Sequence, residues 1–218
     1  MSSSNRDLQI LPLEDLVKTG PVDLAVWNYR PVLGWIQRLR FRLVLALLPS
    51  TKGRRLLEVG YGSGVFLREL ARHTEEVFGI DIHERVPEVT AVLARHGVLA
   101  SLVSGSVESL PFPDAHFDRI VAVSSLEFVD DLDAACRELH RVLSADGSFV
   151  VVTPGQSPLI DAGLRFLTGR SAEGDFAGRR ERILPTLARH FTVDAERHFP
   201  PLVPGVRLYT ALRLRRKG

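Results

Sequence analysis

The chain has 218 residues, 45% of them hydrophobic and 25% charged, with a formal net charge of +2. That length suits one domain, or one domain with an appended segment, and the apolar share is enough for a full core. The charge is too small to announce a polyanion partner, and the single cysteine, Cys136, excludes an internal disulfide.

Along the chain, "MSSSNRDLQILPLEDL" lacks the basic start and apolar stretch of a secretory signal. No apolar run approaches the roughly 20 residues needed to cross a bilayer, so a soluble, cytoplasmic protein is expected. Residues 1–50 read as a helical N-terminal segment, mostly helical from about Leu8 to Leu48 and broken by "TGP" at 19–21 and by Pro31. Residues 51–218 read as the main domain. There "RRLLEVG" (54–60) is a strand, "GVFLRELARH" (64–73) a helix, and "EVFGID" (76–81) a strand. "VPEVTAVLARHG" (86–97) is a helix with Pro87 in its first turn and Gly97 at its end. Strands follow at 98–105 and 117–124, then a helix at 131–143 stopped by "SADG", and a fifth strand at 148–154. Runs such as Phe149, Val150, Val151 and Val152 mark strands buried on both faces. Alternation with short links implies a doubly wound α/β sheet, mostly parallel.

The end of the chain departs from alternation. Residues 179–190 form a helix that Pro185 should bend or interrupt. Strands at 191–199 and 207–215 are joined only by "PPLVPGV", too short for a crossover helix, so they should pair antiparallel. A terminal basic run such as "LRLRRKG" usually stays solvated, because like charges repel.

"LLEVGYGSGVFLREL" (56–70) sets an acid and three alternate glycines between a strand and a helix. A phosphate-binding P-loop needs a lysine just past its glycines, and here the next lysine is Lys217. The dinucleotide fingerprint needs a small third residue, where this chain has Val65. No tyrosine has a lysine four positions beyond it. What remains is acid-x-Gly-x-Gly-x-Gly: Glu58, Gly60, Gly62 and Gly64. Side chains at those glycines would obstruct the turn or a ligand lying flat on the backbone. Asp81, 17 residues past Gly64, closes the next strand where a carboxylate can accept two hydrogen bonds from a vicinal diol.

Glu58, Gly60, Gly62, Gly64 and Asp81 together resemble the first motifs of the class I S-adenosylmethionine-dependent methyltransferases. "GSVESLPFPDAHFDRIVAVSSLEFVDD" (105–131) is similar to the adenine loop and fourth strand of the small-molecule members related to ubiquinone biosynthesis. The resemblance covers residues 54–154 and, in outline, the terminal hairpin. It implies a seven-stranded Rossmann-like sheet, S-adenosylmethionine as cofactor, and cofactor contacts at Glu58, Gly60, Tyr61, Gly62, Ser63 and Gly64. It adds Asp81 and Ile82 after the second strand, Ser106, Val107 and Glu108 after the third, and Ser124 after the fourth. Ser106 stands where the family commonly has an acid, which weakens the expected bond to the adenine amino group.

Transfer from a sulfonium is an in-line displacement that needs alignment and desolvation more than a protein nucleophile. A base is needed only where the acceptor must lose a proton. Glu127, after the fourth strand, is the best-placed candidate, with a solvated surface acid as its plain alternative. His116 and His198 read as satisfied surface groups, Cys136 as a core residue, and no histidine shows metal-ligand spacing. Residues 124–127 lack the Asn/Asp-Pro-Pro-Tyr/Phe turn of base-amine methyltransferases, and no basic stripe carries interleaved aromatics, so nucleic acid is disfavoured. The N-terminal segment is a candidate lid through Trp27, Tyr29 and Trp35, with Tyr29 reaching the cofactor carboxylate. The glycine-rich 155–178 is a substrate-side insertion. Both suggest a small hydrophobic or aromatic acceptor. Arg38, Arg40 and Arg42 break an apolar helix over 32–48, which permits peripheral membrane contact but more often means packing on the domain. The competing readings are a non-catalytic binding or scaffolding protein on the same fold, and a methyltransferase acting on protein or nucleic acid.

Overall fold

A computed structural model of the chain describes residues 8–21, 23–155, 179–201 and 207–218. Seven strands form one sheet: β1 (Gly53–Val59), β2 (Thr74–Asp81), β3 (Ala100–Ser104), β4 (Phe117–Val123), β5 (Leu143–Pro154), β6 (Phe191–Phe199) and β7 (Tyr209–Arg216). Among the described residues five helices accompany them: α1 (Pro31–Leu47), α2 (Leu67–Leu70), α3 (Val86–Arg95), α4 (Leu132–Val142) and α5 (Arg179–His190). The order is β3-β2-β1-β4-β5-β7-β6. β1 to β5 pair in parallel, while β7 runs antiparallel between β5 and β6, as the short link demands.

The central strands alternate between two cores. Val121, Val123, Val150 and Val152 face the layer that holds α1, α2 and α3, while Ile120, Ala122, Phe149 and Val151 face α4 and α5. Neither face meets water, which is why these strands read as unbroken apolar runs. α4 begins with Asp131, whose side chain accepts from the Ala134 N–H at 2.9 Å; such a cap contributes about 1 kcal/mol. Its inner face is Ala135, Cys136, Leu139 and Val142.

Several elements differ from the sequence expectation. Up to Arg30 the described residues of the N-terminal segment form no α-helix, and their regular structure is two short 3-10 turns at Leu13–Asp15 and Ala25–Tyr29. Tertiary partners hold it. The Leu11 N–H donates to the Val65 carbonyl at 3.2 Å, Gln9 N–H to Glu69 at 2.8 Å, and Asp15 pairs with Arg95 and His96. Pro31 starts α1 instead of breaking a helix, because its missing N–H is an orphan at that position anyway. α2 is one turn long, since Gly64 is already engaged in the preceding turn through its N–H to Tyr61. β5 begins at Leu143, straight after α4, opposite Phe117. α5 continues through Pro185. The basic C-terminal run is no solvated tail. Its alternate residues Leu212 and Leu214 are buried, and that pulls the arginines into β7, where Arg213 and Arg215 pair with Asp194. No helix among the described residues is long and apolar enough to cross a membrane.

Candidate functional site

The chain leaves β1 toward β2 and β3, then returns on the other side of β1 as β4. The carboxyl ends of β1 and β4 therefore border a crevice that neither crossover covers. The glycine turn follows β1 there. Gly60, Gly62 and Gly64 have φ of 76°, 50° and 72°, values that residues with a Cβ rarely adopt. Their surroundings differ. A Cβ on Gly60 would stand 2.4 Å from the Ser125 Cβ, and one on Gly64 would stand 3.0 Å from Val89 of α3. A Cβ on Gly62 would instead fit without overlap, with the Asp23 carboxylate at 3.9 Å and the Thr19 hydroxyl at 4.0 Å as its nearest neighbours. Two glycines thus seat the turn against protein, and one presents bare backbone. The sequence expectation allowed either reason, turn or ligand, at each glycine; the contacts with Ser125 and Val89 favour the turn at Gly60 and Gly64.

Asp81 meets the turn directly. Its Oδ2 accepts the Gly62 N–H at 2.8 Å, and its Oδ1 lies 3.4 Å from the His83 N–H. Glu58 is 3% exposed and has one carboxylate oxygen buried without a hydrogen-bond partner. Burial, and then the Asp81 charge, holds its carboxyl well above the ordinary range, with Arg40 opposing. Arg40 comes from α1. Its Nε is buried and makes no hydrogen bond. Burial lowers its pKa from the usual guanidinium value, against the charges of Tyr209, Glu127, Glu58 and Asp23 that face it. Of the two other arginines of that helix, Arg38 donates to the Asn28 carbonyl at 2.6 Å and Arg42 is exposed.

Glu127 is not a solvated acid. It is 2% exposed, and its Oε1 accepts the Thr153 hydroxyl at 2.7 Å. The reason is tertiary: the turn after β4 drops Glu127 beside the carboxyl end of β5. Ser124, at φ 52°, opens that turn and donates its N–H to Val152 at 2.8 Å. Ser125 closes it against β1 by donating to the Val59 carbonyl at 2.7 Å. Ser106 accepts the Glu108 N–H at 3.1 Å, Val107 is buried, and Glu108 accepts the Asp131 N–H at 2.9 Å. Glu108 is thus tied to the start of α4. Ile82 is 78% exposed beside Asp81.

Other candidates lie elsewhere or are already engaged. Tyr61 is buried, its ring packed over Gly79 and edge-on to His83, so it belongs to the core. Ser63 is buried too. The Tyr29 hydroxyl donates to the Leu11 carbonyl and stays within the N-terminal segment, where burial pushes its pKa up to about 12. His116 precedes β4, at the end remote from Ser124, in an aromatic group with Phe78, Phe112 and Phe117; burial and then Arg55 lower its pKa. His198 sits on the edge strand β6 opposite Thr210. Cys136 is fully buried, and burial pushes its thiol up to about 12, which leaves it inert. Among the described residues no three potential ligands converge on a metal site. Trp27 is partly buried, while Trp35 is 47% exposed and edge-on to Phe199. The 155–178 insertion lies, beyond Gly155, outside the described residues.

The residues present fit an adenosyl amino acid. The backbone at Gly62, where a Cβ would meet no protein atom closer than 3.9 Å, the carboxylate of Asp81 bonded to it, and the unsatisfied buried oxygen of Glu58 all lie at the carboxyl ends of β1 and β2. Sequence reading missed Arg40, His83, Asp23, Thr19 and Thr153 in this neighbourhood. For Arg40 the signal was there, a charge interrupting an apolar helix, but its direction was not.

The family description "Methyltransferase domain" matches residues 57–151. The demethylmenaquinone methyltransferase of Roseiflexus castenholzii is 33% identical over 181 residues, which span 77% of this chain and 68% of that protein. The uncharacterized methyltransferase YcgJ of Bacillus subtilis is 32% identical over 111 residues, 49% of this chain and 44% of its own length. Among solved structures, the N-methyltransferase NodS from Bradyrhizobium japonicum, in complex with S-adenosyl-L-homocysteine, superposes with a TM-score of 0.65 at 19% identity over 94% of this chain and 97% of that one. The [4+2]-cyclase SpnF gives 0.65 at 21% identity, covering 87% and 83%. Those two likenesses establish the fold, and the Roseiflexus relative carries the family assignment. The chain belongs to the class I S-adenosylmethionine-dependent methyltransferases.

Proposed function

We propose that this protein transfers a methyl group from S-adenosylmethionine to a small, largely apolar or aromatic acceptor. The observation that carries this is the set of acidic groups gathered after β1, β2 and β4. Asp23 and Glu127 face the guanidinium of Arg40, Asp81 holds the Gly62 N–H, and Glu58 lies buried among them with its carboxyl biased toward the neutral form until a cation arrives. Such a mouth attracts a sulfonium and an ammonium and repels a phosphate backbone. Exposed aromatic surface on Trp35 and Phe128 supports an apolar acceptor. So do the names of the relatives, which include demethylmenaquinone and ubiquinone/menaquinone methyltransferases.

The cofactor supplies an electrophilic methyl on a sulfonium, already activated for displacement. In this reading Glu58 and Arg40 bracket the amino-acid end, the carboxylate facing the ammonium and the guanidinium facing the carboxyl group. Asp81 holds the ribose hydroxyls, and Gly62 lets the ligand lie on the backbone. Ile82 and Val107 flank the adenine, with Ser106 toward its amino group. Glu127, kept out of water and oriented by Thr153, accepts the proton when the acceptor is a hydroxyl or carbon acid. The strap carrying Thr19 and Asp23 covers the glycine turn and excludes water there. A peripheral membrane contact through residues 32–48 would rest on Val32, Trp35 and Arg42, the exposed members of α1 named here.

The test is a screen of phenolic, quinol and amine acceptors with methyl-labelled cofactor, scored for S-adenosylhomocysteine and for the fate of the label. Label recovered only on added protein or nucleic acid would overturn the small-acceptor reading. The likeness to a [4+2]-cyclase motivates one alternative: cofactor bound without methyl transfer, seen as acceptor turnover with the label still on the cofactor.

A further inference from the structure

His83 lies two residues past Asp81, on the loop that leaves β2. Its Nε2 is 3.0 Å from the Gly62 carbonyl oxygen, and its Nδ1 accepts the Arg85 N–H at 3.0 Å. An Nδ1 that accepts has no proton, so the ring proton sits on Nε2 and is donated to Gly62. The ring is held edge-on against Tyr61 with centroids 4.9 Å apart. Asp81, at the end of β2 just before that loop, takes the Gly62 N–H at 2.8 Å. Both polar groups of Gly62 are therefore held by His83 and Asp81, and a Cβ on Gly62 would meet nothing closer than the Asp23 carboxylate at 3.9 Å. Glycine reaches φ 50° freely but is not confined to it, because without a Cβ other backbone conformations are equally open. Without the second bond, the peptide linking Gly62 to Ser63 is free to rotate and to turn its carbonyl toward the ligand.

We propose that His83 is a positioning residue for the cofactor: its Nε2–H locks the Gly62 carbonyl away from the crevice and keeps the glycine turn ready for the ligand. This rests on the cofactor lying along Gly60–Gly64. Ordering the turn at the moment of binding then becomes unnecessary, which raises affinity without adding a contact.

Two substitutions separate the ring's two nitrogens. His83→Gln places an amide donor near the Nε2 position and loses the Nδ1 acceptor. His83→Asn keeps an acceptor for the Arg85 N–H and cannot reach Gly62. S-adenosylhomocysteine binding is measured by calorimetric titration for the wild-type protein and both variants, with thermal melting as the control for folding. The expected result is a Kd about 3–10-fold weaker for His83→Asn, the worth of one hydrogen bond, and a Kd within about twofold of wild type for His83→Gln. Equal binding by His83→Asn and wild type overturns the proposal. So does equal weakening in both variants, which would mean that ring packing on Tyr61 matters and the donor does not. A wild-type protein that fails to bind S-adenosylhomocysteine would instead sink the cofactor reading on which the proposal stands.

Discussion

Gly60→Ala and Gly62→Ala add the same methyl to one turn, and the structure expects them to fail in different ways. Both impose a left-handed backbone on alanine, at about 1–2 kcal/mol. Gly60→Ala also drives its Cβ to 2.4 Å from the Ser125 Cβ, where carbon atoms rest at about 3.5–4.0 Å. Relieving such an overlap in packed surroundings costs about 1–3 kcal/mol more. At roughly 2–4 °C per kcal/mol for a chain of this size, Gly60→Ala should melt about 4–20 °C lower and Gly62→Ala about 2–8 °C lower. Binding should rank the other way. The Gly62 methyl overlaps no protein atom but lies on the turn along which the ligand is proposed to lie, so affinity for S-adenosylhomocysteine should fall by roughly tenfold or more, a loss of about 1.4 kcal/mol. Differential scanning fluorimetry and calorimetric titration read the two effects separately. Adding Ser125→Gly to Gly60→Ala should recover the overlap part of the loss, less about 1 kcal/mol for the missing bond to Val59. The reasoning fails if both single variants lose the same stability and the same affinity, or if Ser125→Gly recovers nothing.

Asp81→Ala should cost about 1.5–3 kcal/mol in S-adenosylhomocysteine affinity, read by titration, because charged hydrogen bonds to the ribose and the tether to Gly62 both go. Glu58 should impose a pH dependence on the ligand-free protein. Its carboxyl titrates above its ordinary value of 4.5, so the folded state holds the extra proton between the two values. Its contribution to stability is therefore full below about pH 4.5 and falls as the pH rises toward the folded value. Glu58→Gln should flatten the dependence of melting temperature on pH across that range, and it should also weaken S-adenosylhomocysteine binding. An unchanged slope would contradict the assignment. Glu127→Gln should lower kcat by roughly 10²–10⁴-fold on an acceptor that must lose a proton, with cofactor affinity intact. A loss of affinity alone would remove Glu127 from the chemistry.

The glycine triplet and Asp81 were readable as a pair because each ends a strand whose apolar run is local in sequence. What each glycine avoids was not readable. Ser125 lies 65 positions beyond Gly60, and Val89 lies 25 beyond Gly64, so the reason for two of the three glycines is a tertiary neighbour. Glu127 shows the same limit. Its acidity and its place after β4 were visible, but its burial depends on Thr153 at the end of β5. The partner of Tyr29 was not readable either: its hydroxyl donates to the Leu11 carbonyl, on a segment with no periodic signature.

Sequence alone determined the alternation of strands and helices, the antiparallel closing hairpin and the acid–glycine spacing, because each is written in neighbouring residues through apolar period, link length or turn chemistry. Tertiary structure decided which way Arg40 points, that His83 grips Gly62, and that Arg213 and Arg215 of the closing strand are paired with Asp194. Those outcomes depend on which distant backbone and side-chain groups the folded sheet brings within hydrogen-bonding reach, and no local pattern encodes that distance.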